Sequence, residues 1–150
     1  MQNDNAVSVL NNLIETCKDG EEGFKVAAEG LTSASIKTKF LEYSRQRAQM
    51  ARELQDEVRR LGADPEKKGS VAGTMHRGWL NIRSIVSGKD DHAIVAEAER
   101  GEDVAKGVYE SALKESLPQS AQTLVQQQAS KVRQAHDDVR NIRDRETVAR

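Results

Sequence analysis

Apolar residues recur every three or four positions along four long segments, and this spacing constrains the fold more than any other feature of the sequence. It places one apolar stripe, or seam, along each of a set of amphipathic helices. The alternating pattern typical of strands does not occur, so the sequence predicts an all-α protein. The predicted helices run from about Asn3 to Gly30, Ser33 to Leu61, Asp91 to Glu115 and Pro118 to Arg145.

The connections between these helices predict how they are arranged. Short turns join the first helix to the second and the third to the fourth, so each pair should form an antiparallel hairpin. The connection between the second and third helices is much longer and can traverse the bundle, so we expect these two helices to run parallel in one four-helix-bundle domain over residues 1–150. Between Gly69 and Gly88, a short amphipathic helix is predicted from four apolar residues: Met75, Trp79, Ile82 and Val86.

The composition argues against several classes of protein. The formal net charge of -1 disfavours general nucleic-acid binding, which usually needs a basic surplus. No apolar run approaches the roughly 20 residues that span a bilayer, and the N-terminal residues lack the pattern of a secretory signal. Cys17 is the only cysteine, which suits a reducing compartment. We therefore expect a cytoplasmic protein without nucleic-acid or membrane partners, either alone or as a homodimer.

Each seam is interrupted by one strongly polar residue. Aligned about the two hairpin turns, the four residues fall close to one level in the middle of the bundle. A charge in a dry interior is costly unless it is paired or bound to metal. Carboxylate, guanidinium and amide groups could satisfy one another as a buried layer that fixes helix register. Gly20 and Gly23 flank the first polar position and predict a bend or loosening of that helix. The predicted layer consists of Glu21, Arg47, Glu102 and Gln128.

A metal site is the alternative explanation of the polar residues. Di-metal carboxylate bundles take one glutamate from each of two helices and a Glu-x-x-His pair from each of the other two. The second helix has no histidine at that spacing, and Arg133 stands where a glutamate would precede His136. Arg47 would also repel a cation. What remains is a mononuclear or altered site for iron, manganese or zinc, with the candidate ligands Glu22, Glu53, Glu99, Glu102 and His136.

Few other residues indicate chemistry. Cys17 lies in the first seam and is expected to be a small core residue. Trp79, the single tryptophan, is expected to close the bundle or to pack against a second copy. No nucleophile with a base and an orienting group is visible at any spacing that a sequence can indicate. The residues therefore favour a non-enzymatic protein with a binding or stress-protection role. Metal handling or oxidase activity is the alternative.

Several stretches carry a resemblance to a known family: "SVLNNLIETCKDGEEGFKVAAEG", "ARELQDEVRRLG", "GSVAGTMHRGWLNIRS", "AERGEDVAKGVYESAL" and "AHDDVRNIRD". Within them, "ERGED" and "HRGW" are the most specific. The chain resembles a bacterial family of uncharacterised four-helix-bundle proteins of similar length, which is placed in the ferritin-like superfamily. The resemblance implies a ferritin-like bundle without an established activity. Analogy with ferritin-like proteins would imply iron or oxygen chemistry, although this chain lacks both Glu-x-x-His pairs.

Overall fold

The computed structural model describes residues 2–65 and 79–149, except the side chains of residues 2, 3 and 146–149. Within that part of the chain five helices and no strand occur, which confirms the prediction of an all-α protein. None of the described helices contains an apolar stretch long enough to cross a lipid bilayer. The helices are α1 (Gln2–Gly30), α2 (Ala34–Arg60), α3 (Ile82–Ser87), α4 (Asp91–Leu113) and α5 (Gln119–Ala149).

The ends of the helices follow from local chemistry. The Ser33 hydroxyl caps α2, and the Asp90 carboxylate caps α4, each by accepting hydrogen bonds from N–H groups of the first turn. Gly62 follows α2 with a φ of 84°, a conformation that glycine adopts with little strain. α4 ends at Leu113, shortly before the predicted Glu115, and α5 continues past its predicted end.

One carboxylate shows which helix ends lie together. Asp91, the first residue of α4, accepts hydrogen bonds from the Thr32 and Ser33 N–H groups at 2.8 and 2.9 Å. It also accepts from the Thr32 hydroxyl at 2.9 Å. α4 therefore begins beside the turn between α1 and α2. Because α1 and α2 are antiparallel, α4 runs parallel to α2 and antiparallel to α1.

Two further hydrogen bonds join the helices at the opposite end of the bundle. Asn5, near the start of α1, donates to Glu115 just after α4 at 3.2 Å. The Ser120 hydroxyl, at the start of α5, donates to Glu57 near the end of α2 at 2.7 Å. Each long helix thus has two antiparallel neighbours, in the order α1, α2, α5, α4. α2 ends at one end of the bundle and α4 begins at the other. Residues 66–78, with Met75 of the predicted short helix, lie outside the described residues.

The core consists of two apolar clusters stacked along the bundle. The upper cluster, nearer the α1–α2 turn, contains Phe24, whose ring lies 5.1 to 5.3 Å from three other aromatic rings, those of Phe40, Tyr43 and Trp79. The lower cluster includes Leu10, Leu13, Met50, Leu54, Tyr109 and Val125. Polar groups of α2 and α4 separate the two clusters.

Trp79 fills a slot between α1 and α4 that two glycines make available. A Cβ atom on Gly23 would lie 2.2 Å from the indole, and one on Gly101 would lie 2.4 Å from it. These distances are too short for any side chain, so the indole requires glycine on both helices. Trp79 is 9% exposed within the single chain, so it closes the bundle and is not available to pack against a second copy.

α3 follows Trp79 and lies across the interface between α1 and α4. Buried Glu97 of α4 accepts a hydrogen bond from the Asn81 N–H at 3.1 Å. Arg83 pairs with Glu22 of α1 at 2.7 Å. The part of the connection from Trp79 onward is therefore attached to both helices. α1 itself is one helix from Gln2 to Gly30, and its glycines provide space for neighbouring side chains.

Candidate functional site

Arg47 of α2 and Glu102 of α4 form an ion pair in the middle of the bundle. The guanidinium donates two hydrogen bonds to the carboxylate, from Nη1 to Oε1 at 2.7 Å and from Nη2 to Oε2 at 2.5 Å. The two side chains are 1% and 0% exposed. Burial by itself lowers the pKa of Arg47, but the attraction of Glu102 outweighs burial and holds that pKa above its ordinary value. The pair is therefore a true ion pair, bidentate and dry.

α1 makes room for this ion pair with a glycine. A Cβ atom on Gly20 would lie 2.9 Å from Arg47 Nη1. The ring of Phe24, about one turn later, lies 5.5 Å from the guanidinium carbon, within the range of a cation–π contact. The Nε group of Arg47 is buried and has no hydrogen-bond partner among the described residues. Glu102 and close packing therefore hold the guanidinium in place.

A second set of polar groups crosses the lower cluster beside the ion pair. The Tyr109 hydroxyl donates to the Gln128 side-chain oxygen at 2.7 Å, so the Cys17 thiol, 3.1 Å from that hydroxyl, acts as the donor to it. The Gln128 amide in turn donates to the Met50 carbonyl at 3.1 Å and to Glu53 Oε1 at 3.0 Å. Side chains from all four long helices are thus joined in one chain of hydrogen bonds.

Burial keeps the thiol and the phenol of this chain uncharged. It raises the pKa of Cys17 from 9.0 to about 11 and raises the pKa of Tyr109 well above its ordinary value. Cysteine reacts as the thiolate, so Cys17 is unreactive as a nucleophile at neutral pH. The thiol and the phenol therefore act as neutral hydrogen-bonding groups in the core at pH 7.

Three of the four residues predicted for the buried layer are buried: Arg47, Glu102 and Gln128. The side chain of the fourth residue, Glu21, is only partly buried. Its backbone carbonyl accepts a hydrogen bond from the Ser44 hydroxyl at 2.8 Å. Successive residues of a helix point about 100° apart, so Gly20 faces Arg47 and the next side chain turns toward solvent.

Three of the predicted metal ligands are bound separately by nitrogen donors. Exposed Glu22 pairs with an arginine of the connection. Half-buried Glu53 accepts from Gln128, and both oxygens of Glu102 accept from Arg47. None of these three carboxylates belongs to a group of metal-ligating atoms that converges in the described part of the chain. A metal ion on Glu102 would have to displace Arg47 from both carboxylate oxygens, so the residues at this level do not fit a di-metal centre.

The other two predicted ligands, Glu99 and His136, do come together, and Asp103 joins them. Ligand atoms of the three residues all lie within 4.8 Å of one another, where α4 faces α5. His136 Nε2 contacts Asp103 at 2.5 Å, and its Nδ1 contacts Asp137 at 3.2 Å. Glu99 accepts a hydrogen bond from Arg143. The imidazole is 4% exposed whereas Asp103 is 60% exposed, so the cluster is open to solvent on one side.

Two kinds of chemistry fit this cluster. Carboxylate oxygens with an imidazole nitrogen are ordinary ligands for zinc, iron or manganese. An imidazolium, by contrast, can donate to both Asp103 and Asp137, and the hydrogen bond from His136 lowers the pKa of Asp137. A metal ion would need a deprotonated His136 nitrogen and a Glu99 carboxylate released from Arg143.

One feature of the sequence could have placed Asp103 in this cluster. Asp103 lies four residues after Glu99 and therefore shares its side of α4. Cys17 and Tyr109 gave no such sign, because both occupy ordinary apolar positions of their seams. Their polar role depends on contacts between helices that are far apart in sequence.

Comparison with known proteins identifies the family. The chain belongs to the family described as a domain of unknown function, DUF2383, whose model matches residues 5–115. This confirms the prediction of an uncharacterised domain family. The matched part includes both members of the core ion pair, and it includes Glu99 and Asp103 but ends before His136. No curated protein matches the chain.

Proposed function

We propose that the protein is a non-enzymatic binding protein built on a ferritin-like four-helix bundle, in which the Arg47–Glu102 ion pair replaces a di-metal centre. The helix directions support the architecture, because parallel α2 and α4 separated by a long connection are typical of ferritin-like bundles. The bidentate ion pair at mid-bundle supports the replacement, and it is the observation on which the proposal depends.

The energetics of the ion pair disfavour a metal ion at that level. Di-metal bundles need several carboxylates and two histidines facing one another. Here both oxygens of Glu102 are bound by Arg47, and Glu21 is only partly buried. A metal ion that took Glu102 would leave Arg47 charged and unpaired in a dry interior, at a cost of about 3–5 kcal/mol.

Metal analysis of protein purified without chelators tests this proposal. We expect iron, manganese and zinc far below one ion per chain, with no difference between the wild type and Glu102→Gln. Glu110→Gln is the matched control, because Glu110 is an exposed residue of the same helix. Metal close to one or two ions per chain, lost in Glu102→Gln and kept in Glu110→Gln, would refute the proposal.

The cluster of Glu99, Asp103 and His136 supports a second candidate function, the binding of one divalent ion at the α4–α5 edge. The supporting observation is the convergence of three ligand atoms within 4.8 Å. Calorimetric titration with zinc or manganese chloride above pH 7 should then show one ion per chain. Asp103→Asn and His136→Gln should abolish this binding, and Glu102→Gln should not change it. Identical binding curves for all variants would exclude this site.

A further inference from the structure

Acidic and basic residues are unequally distributed around the bundle. α1 and α4 each contain six acidic and two basic residues. α2 contains seven basic and four acidic residues, and α5 contains five basic and four acidic. α1 is the neighbour of α4, and α2 is the neighbour of α5. The α1/α4 side of the bundle is therefore strongly acidic, while the α2/α5 side is weakly basic.

The acidic side contains a groove that none of the described residues fills. It lies between the first half of α1 and the second half of α4 and has a volume of about 660 Å³. Its walls are partly apolar, with half-buried Val9 on one helix and Val108 on the other. Its lining includes two acidic residues, Asp103, whose Oδ1 contacts His136, and Glu115, whose Oε1 accepts from Asn5. A Cβ atom on Gly107 would meet nothing within 4 Å, so open space begins at the backbone of α4.

The dimensions and margin of this groove suit a short helix. From Asp103 to its end at Leu113, α4 extends about 15 Å along the groove at 1.5 Å per residue, which is about three helical turns, and Glu115 follows this end. Apolar grooves of this kind bind the apolar face of an amphipathic helix. Carboxylates toward both ends of the groove would favour lysine or arginine on the helix that enters it.

The other half of the α1–α4 interface already binds a segment that has both apolar and basic side chains. Trp79 inserts between α1 and α4, and Arg83 of the same segment pairs with Glu22 at 2.7 Å. Apolar side chains of that segment therefore face the seam, and its cation reaches an acidic margin. Asn12 lies about three turns before Gly23 and shares its face of α1, so the groove continues the slot of Trp79.

The open half also has unused hydrogen-bonding capacity. The side-chain oxygen of Asn12, which lines the groove, is buried and has no hydrogen-bond partner among the described residues. A buried polar atom without a partner destabilises the folded protein. A side-chain N–H donor of a bound helix could pair with this oxygen and recover that energy.

We propose that this groove binds a cationic amphipathic helix of a partner protein, whose apolar residues contact Val9 and Val108 and whose basic residues lie beside Asp103 and Glu115. The inference rests on the proposed binding role and names the class of partner. A second copy of this chain would bring an equally acidic side against the groove, so face-to-face pairing is opposed by charge.

The test uses the full chain and two labelled synthetic peptides of about 15 residues, enough for about four turns. One peptide is a leucine/lysine amphipathic helix, and the other has glutamate in place of every lysine. We expect the lysine peptide to bind at least about tenfold more tightly in fluorescence anisotropy titrations, a difference of about 1.4 kcal/mol. Binding should weaken as salt is raised, because exposed charges are then screened.

Variants of the groove decide where the peptide binds. Gly107→Leu adds a side chain where a Cβ atom would meet nothing within 4 Å, and it should weaken the binding of the lysine peptide at least about tenfold. Glu115→Lys should weaken it more than Glu110→Lys, which makes the same charge change on α4 outside the groove. Equal binding to wild type and Gly107→Leu, or no preference for the lysine peptide, would overturn the proposal.

Two controls separate this test from that of the proposed function. The groove variants do not contact the Arg47–Glu102 pair, so their metal content should match the wild type and each should still unfold in a single cooperative transition. Light scattering of the wild type should give the mass of one chain at every concentration. A mass that rises with concentration and returns to one chain in Gly107→Leu would identify a second copy as the occupant and overturn the proposal.

Discussion

Glu102→Leu should remove a large part of the stability of this protein, because it leaves Arg47 charged in the dry middle of the bundle. Two hydrogen bonds to a charged group are lost at once, and a guanidinium that is 1% exposed cannot reach water. Each such bond contributes about 1.5–3 kcal/mol, and breaking a buried ion pair costs about 3–5 kcal/mol. We expect the free energy of unfolding to fall by about 4 kcal/mol, against the total of about 5–15 kcal/mol that is usual for one domain.

A double variant separates the pairing of these charges from the packing around them. Arg47→Met alone should cost about as much as Glu102→Leu, because the carboxylate then lies unpaired. Combining the two changes replaces the ion pair with apolar side chains and leaves no buried charge, so it should cost no more than about 2 kcal/mol. The double-mutant cycle should therefore give a coupling energy above about 3 kcal/mol.

Urea titrations followed by circular dichroism measure all four corners of this cycle. The dependence of the unfolding free energy on urea should be similar in each variant, so that midpoints report stability. Asp56→Asn is the control, because Asp56 pairs with Arg59 at 3.0 Å but the two side chains are 76% and 55% exposed. That change should cost less than about 1 kcal/mol. Additive effects of Arg47→Met and Glu102→Leu would refute the conclusion that the two charges stabilise each other.

Three further predictions concern other features. Gly101→Ala should lower the urea midpoint, because its Cβ would overlap the Trp79 ring. Gly107→Ala, in open space on the same helix, should raise stability by up to about 1 kcal/mol. Equal effects of the two changes would contradict the conclusion that Trp79 requires glycine at position 101. Asp91→Ala should cost at least about 1 kcal/mol in thermal unfolding, because three hydrogen bonds at the α1–α2 turn are lost, and an unchanged midpoint would contradict this. The folded state holds the pKa of Cys17 at about 11 against 9.0 in the unfolded chain, so stability present below pH 9 is lost as the pH rises toward 11. Between pH 9 and pH 11 the free energy of unfolding of Cys17→Ala should fall by about 2–3 kcal/mol less than that of the wild type. Parallel pH profiles of the two proteins would contradict the burial of the thiol.

The helices could be predicted from the sequence because burying one stripe per helix is a local and periodic requirement. Arg47, Glu102 and Gln128 could be predicted for the same reason, since a polar residue in an apolar seam has to meet a partner. Glu21 is only partly buried, and the three-and-four spacing does not separate it from buried Gly20 where glycines interrupt the seam. A glycine has no side chain, so the pattern gives no sign that it makes room for a residue of another helix.

Contacts that depend on the rotation of one helix against another could not be predicted. Asp103 meets His136 only because α4 and α5 turn these faces toward each other. The three hydrogen bonds of Asp91 likewise depend on where α4 begins relative to the first hairpin. Periodicity determines which stripe of each helix is buried, but it does not determine the azimuth or axial offset at which two helices pack.

The position of Trp79 between α1 and α4 makes its fluorescence sensitive to changes at this interface. Its indole fits between α1 and α4 because neither Gly23 nor Gly101 carries a Cβ atom. A ligand that displaced the indole from between α1 and α4 would expose it to water. Because this is the single tryptophan of the chain, that displacement would shift the intrinsic emission to longer wavelength without any label. Intrinsic tryptophan fluorescence would therefore report the opening of the α1–α4 interface at Trp79.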